Sequence, residues 1–148
     1  MAETNEKESN MVSKDITYID FDGKKVTNKF WFNLTPFEVG ELNIEFPGGF
    51  ESVIKDFDTD PDTYKLFQAF KKLILKAYGI KTPDKRFIKD EIATKEFAAS
   101  DAMSELFISF MKEDRMKVLS FIEAMFPDGS IFENNQANTT QENAISEG

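Results

Sequence analysis

DTYKLFQAFKKLILKAYG, Asp62 to Gly79, is the stretch that decides the fold. Tyr64, Phe67, Phe70, Ile74 and Ala77 recur at steps of three and four, and Leu66 and Leu73 widen the stripe. That period places the apolar side chains on one face of an α-helix. Asp60-Pro61 supplies the cap-and-proline start, and Gly79 is expected to end the helix as a left-handed C′ residue.

Upstream, the period changes from about three and a half to two. Ile16, Tyr18, Ile19 and Phe21 precede Asp22-Gly23, and Val26, Phe30 and Phe32 then alternate with Thr27, Lys29 and Trp31. This reads as a β-hairpin over 16–34 closed by a two-residue type I′ turn at Asp22-Gly23. A lone hairpin is marginal in water, so it must lean on helices or on another chain. Thr35-Pro36-Phe37-Glu38 then carries an N-cap, a proline at N1 and the glutamate of a capping box. This helix should run to about Ile44 and stop before Pro47-Gly48-Gly49, with a short helix from Phe50 to Phe57 after it.

Downstream, Ile80 to Lys89 reads as a linker with Phe87-Ile88 as a short extended piece. Asp90, Ser100 and Asp114 are the expected caps of three more helices, the last ended by Pro127. The fold class is therefore mainly α (α+β): an N-terminal β-hairpin and a compact bundle of about five or six helices. One folded domain is expected over 16–127, with the hairpin at 16–34 and helices over 35–127. Residues 1–15 and 128–148 are expected to be disordered; the run NNQANTTQENAISEG has only Ile145 as a large apolar residue.

The composition excludes whole classes of chemistry. The chain has 148 residues, no histidine and no cysteine. Ser-His-Asp and Cys-His catalysis, thiolate metal sites and disulfides are therefore out. What is left is carboxylate, lysine or tyrosine chemistry, and we expect no enzyme, no cofactor and no metal. Asp56 to Thr63, DFDTDPDT, imitates a calcium loop, but the positions that need glycine and glutamate hold Pro61 and Phe67. Asp15, Asp20 and Asp22 read as solvated carboxylates, and Gly48-Gly49 as a helix break rather than a phosphate loop.

The net charge is −9. Residues 1–15 hold −2 and residues 128–148 hold −4, which leaves −3 on the body. Nucleic acid and anionic membranes are poor partners for such a chain. Lys71, Lys72, Lys76, Lys81, Lys85, Arg86 and Lys89 form a basic cluster. It reads as the solvated end of a helix in preference to a docking patch for an acidic partner. The start, Met1 to Lys14, has no apolar core of a signal peptide, and no run of about 18 apolar residues suggests a membrane span.

Sixteen phenylalanines, three tyrosines and one tryptophan are a large aromatic supply. Most must be core, yet Phe107, Phe110, Met111, Phe121, Met125 and Phe126 exceed one narrow stripe on two short helices. They are the candidate residues for binding a partner or a second copy of this chain, since phenylalanine and methionine together make adaptable grooves.

Two segments resemble a known family. FQAFKKLILKAYGIKTPDKRFIKDEIATKEFAASDAMSELF, Phe67 to Phe107, is similar to the tail assembly chaperones of long, flexible-tailed bacteriophages of Gram-positive hosts. DFDGKKVTNKFWFNLTPFEV, Asp20 to Val39, resembles the start of the same family. The family pattern would have a glycine near Lys85 and an aromatic near Met103, and VLSFIEAMFP matches its ending only loosely. The resemblance implies a chaperone that binds the tape measure protein in the host cytoplasm before the tail tube polymerises. It implies recruitment of the major tail protein, through a longer frameshifted form, and absence from the finished virion. Self-association is a further expectation. The rival expectation is a structural tail or head-completion component that stays in the particle, with its hairpin added to a neighbour's sheet.

Overall fold

A computed structural model describes residues 11–46, 48–50, 52, 53 and 63–127. Two strands open the fold, β1 (Val12–Ile19) and β2 (Lys25–Phe32), paired antiparallel from Val12↔Phe32 to Ile19↔Lys25. Val12 to Asp15, expected within the disordered arm over 1–15, thus pair with β2, and residues 1–10 lie outside the described residues. Residues directly opposite each other share a face. Val12, Lys14, Ile16 and Tyr18 therefore lie on one side with Val26, Asn28, Phe30 and Phe32. This side turns inward: Ile16 and Phe32 are buried. The other side is polar, with a Thr17–Thr27 hydroxyl contact at 2.7 Å and an Asp15–Lys29 ion pair at 3.2 Å. Lys81 Nζ lies there, 4.1 Å from the centre of the Trp31 ring.

The turn falls where it was expected but is not type I′. Only Gly23 has a positive φ, at 82°. Gly23 N donates to Asp20 O at 2.9 Å, and Asp20 N donates to Lys24 O at 2.8 Å. The Asp20 carboxylate accepts from the backbone N of both Asp22 and Lys24 at 2.9 Å. This is a longer turn with one left-handed residue, the geometry of a G1 bulge. The carboxylate supplies the closure that a second left-handed residue would otherwise give.

Helix α1 (Pro36–Glu45) begins as the capping grammar requires. Thr35 Oγ1 accepts from Glu38 N, and Glu38 Oε1 accepts from Thr35 N at 3.0 Å. The short helix expected at Phe50 to Phe57 lies largely outside the described residues; Phe50, Ser52 and Val53 are helical. The acidic run Asp56 to Asp62 and the tail 128–148 also lie outside them.

Helix α2 (Thr63–Ala77) runs straight into β3 (Tyr78–Lys81). Gly79 is therefore not a C′ cap. It pairs with Trp31 inside the sheet and its φ is not left-handed. Its role is close approach: a Cβ there would sit 2.6 Å from the Phe87 ring and 3.0 Å from Ile88 O. The supposed linker is a second hairpin, from β3 to β4 (Phe87–Ile88) through Ile80↔Ile88 and Lys81↔Phe87. The sheet has four strands in the order β1-β2-β3-β4.

Three helices follow: α3 (Glu91–Ala99), α4 (Asp101–Lys112) and α5 (Arg115–Ala124). Asp90 and Ser100 cap with their side chains. Asp114 does not; its carbonyl accepts from Lys117 N and Val118 N instead. Helix α4 lies along the outer edge of β1. Ile19 N donates to Asp101 Oδ2 at 3.4 Å, and Lys14 pairs with Glu113 at 3.2 Å at the other end. Covering an edge strand in this way blocks pairing with another chain.

The core sits between the inner sheet face and α1, α2, α4 and α5. Phe32, Leu34, Leu42, Leu73, Ile74, Leu106 and Met125 are all below 2% exposed. Each contributes roughly 1.5–3 kcal/mol by leaving water. Two backbone bonds tie the exit of β2 into it: Asn33 N donates to Ala77 O, and Leu34 N to Met125 O, both at 2.9 Å.

Candidate functional site

Helix α2 carries a broader apolar arc than one contact needs. Ala69, Leu73, Ile74 and Ala77 are buried, whereas Phe67 is 47% exposed. The arc turns one edge into the core and the other toward α4 and α5. Between them lies an apolar cavity of about 290 Å³. Its α2 wall is Leu66, Ala69, Phe70 and Leu73. The α4 wall is Phe107, Phe110 and Met111; α5 adds Val118, Leu119 and Ile122, and Phe50 closes one end. Glu113 and Arg115 are the charged residues that line it.

Aromatic packing builds the cavity's rim. The Phe107 ring lies 4.5 Å from Phe67 and 5.1 Å from Phe70, centre to centre. Phe70 meets Phe110 edge-to-face at 5.3 Å. Such pairs hold rings in fixed orientation, worth about 0.5–1.5 kcal/mol beyond burial. Met111 stands beside them, 51% exposed, as a flexible side chain able to follow a partner's shape.

The six candidate residues divide evenly. Phe107, Phe110 and Met111 line the cavity. Phe121, Met125 and Phe126 do not. Phe121 is half-buried and packs on Phe32 at 5.9 Å and Phe110 at 5.5 Å. Met125 and Phe126 are buried, with Phe126 6.1 Å from Phe50. Burial takes both off the surface, because α5 ends under the exit of β2. Phe110 is also buried, yet it forms part of the cavity floor. Sequence reasoning missed the α2 wall. The signal was present in the width of the stripe from Leu66 to Leu73, which exceeds a single packing face.

Lys72, Lys76 and Lys89 of the basic cluster are engaged within the fold. Lys72 pairs with Glu45 at 3.6 Å, and Lys76 with Glu41 at 3.1 Å. Lys89 Nζ lies 2.5 Å from Glu38 Oε1 and 2.6 Å from Asn33 O. Burial lowers the Lys89 pKa below its usual 10.5, and Glu38 opposes the shift. These pairs bind α1 to α2 and to the start of α3. They account for Lys72, Lys76 and Lys89 without an acidic partner.

Among the described residues, no group of three or more acids is placed to hold a metal ion. The site's chemistry is apolar binding: a cavity with a pliable rim and few charges. Comparisons with curated proteins and with solved structures found no match. The sequence model of one family, described as phage tail assembly chaperone, matches residues 11–147, which is most of the chain. The match spans the hairpin, the whole helical body and the residues beyond α5, and the chain belongs to the phage tail assembly chaperones.

Proposed function

We propose that this chaperone binds the tape measure protein, laying an apolar helical segment of that client against the α2–α4–α5 cavity. The carrying observation is the apolar rim of Phe67, Phe107 and Met111 around an apolar floor. An amphipathic helix presents anchors at three- and four-residue steps, and such a groove accepts them. Holding the client this way shields its apolar face from water until the tail tube polymerises. The chaperone works in the host cytoplasm, recruits the major tail protein through a longer frameshifted form, and leaves before the virion is complete. Family membership and the resemblance support these steps.

The rival reading, a component retained in the particle, would use the hairpin for strand addition. The cover of α4 along β1 weighs against it, since Asp101 already takes the Ile19 N–H.

The test is co-expression with the phage's tape measure protein. The chaperone should raise the client's soluble fraction and co-purify with it. Phe107→Ser and Met111→Ser together should abolish co-purification while circular dichroism stays that of the wild type. No effect of the chaperone on the client would sink the proposal. Mass spectrometry of purified virions separates the rival, because a retained component would be found there.

A further inference from the structure

A second cavity, of about 330 Å³, lies away from the groove, between the hairpin and α3. Its walls are the rings of Tyr18, Phe30, Tyr78 and Phe97. These rings brace one another: Tyr78 stacks on Phe97 at 4.5 Å, and Phe30 lies 5.2 Å from Phe97 and 5.9 Å from Tyr18. The charged residues that line it are Asp20 and Glu96, both acids. Asp101 stands at the neighbouring backbone of Ile19. Ring faces attract cations through their quadrupole, and a carboxylate beside them adds a direct charge. The volume is that of a small-ligand pocket.

Glu96 also acts on one of the walls. Burial first, then Glu96 and Tyr18, raise the Tyr78 pKa above 10.0, so the phenol keeps its proton and stays neutral. At the rim stand two exposed apolar side chains, Phe21 at 81% and Ile19 at 47%. A free amine has no use for them. A peptide carrying an apolar residue beside a basic one does.

We propose that this pocket receives a lysine or arginine side chain of a protein partner, with Phe21 and Ile19 packing on the apolar residues beside it. The net charge of −9 favours approach of such a segment at long range. The site shares no lining residue with the α2–α4–α5 cavity, so it stands or falls independently of the client-binding proposal.

The test is NMR titration of the full chain with the capped tripeptide Leu-Lys-Leu. Its comparators are the same peptide with norleucine for lysine, and spermidine. The lysine peptide should shift the amides of Tyr18, Tyr78 and Glu96 with a dissociation constant on the order of 1 mM. Glu96→Gln should weaken it about tenfold, whereas Asp15→Asn, the same charge change on the opposite sheet face, should leave it unchanged. Phe21→Ser should weaken the peptide and not spermidine. Equal binding of the norleucine peptide would overturn the proposal, as would an unchanged affinity in Glu96→Gln. Spermidine binding more tightly than the peptide would overturn it in favour of a free polyamine. Absence of shifts at the pocket up to about 20 mM would end it outright.

Discussion

Phe32 and Phe107 sit at the centres of two aromatic clusters that end differently. Phe32 meets Tyr78, Phe97 and Phe121, and it is fully buried. Phe107 meets Phe67 and Phe70, but Phe67 is half exposed and an apolar cavity lies alongside. Phe32 itself is closed over by the sheet above and helices below, while Tyr78 and Phe97 beyond it line the second cavity. The cluster around Phe107 has helices on its sides and nothing of the described chain across its rim. One residue type thus serves as mortar in one place and as binding surface in another. The difference lies in which elements close over the ring.

Breaking the closed cluster should have the largest effect. Phe32→Ala leaves a cavity that rigid strands cannot fill, and should cost about 3–5 kcal/mol in urea unfolding. Gly79→Ala tests the layer beside it. The added methyl must displace the Phe87 ring and crowd Ile88 O, so a loss of about 1–3 kcal/mol is expected. A neutral result would mean that β4 moves aside at no cost.

The open cluster should respond in the opposite sense. Phe107→Ser should cost only about 1 kcal/mol of stability, since its ring is half-buried. The same change should remove most client co-purification, because binding energy concentrates in a few large anchors. A stability loss as large as that of Phe32→Ala would show that Phe107 is mortar after all.

Two smaller effects sharpen the contrast within the sheet. The turns of the two hairpins are built alike. Thr82 N donates to Arg86 O and Lys85 N to Thr82 O, matching the bonds made around Asp20, and Thr82 Oγ1 also bonds Asp84 Oδ1. Gly23 holds the left-handed position in one turn, and Lys85, with φ 67°, holds it in the other. A side chain there is strained, so Lys85→Gly should stabilise by about 0.5 kcal/mol, read as a rise in melting temperature.

The smallest effect concerns Tyr78. Its pKa is raised in the folded chain, so above pH 10.0 the unfolded chain gives up a proton that the folded chain keeps. Stability from this group is full below pH 10.0 and falls as pH rises through the raised value. Tyr78→Phe should therefore flatten the decline in melting temperature as pH rises above 10.0. Lys89, whose pKa is lowered, works in the opposite direction, adding stability as pH rises toward 10.5.

The signals that were legible in the sequence are those whose physics is local. The Thr35 capping box, the Ser100 and Asp90 caps and the α2 period each depend on a few consecutive residues, and each stands as expected. The hairpin position was legible for the same reason. The turn's form was not, because it depends on where the Asp20 carboxylate points. The second hairpin was hidden because strands of four and two residues have no measurable period. Gly79 then took the nearest local meaning, a helix terminator, when its real constraint is a ring eight residues away.

The sequence by itself determined the chemistry this protein lacks, the first hairpin, the main helices and the family. A chain without histidine or cysteine carries that limit in any fold. Which aromatics meet water was decided only in three dimensions. Phe107 on α4 and Phe126 just past the end of α5 are the same residue type, yet one lines a cavity and the other is sealed under Phe50. Burial belongs to the neighbours that fold over a side chain, and strand register and helix packing choose those neighbours.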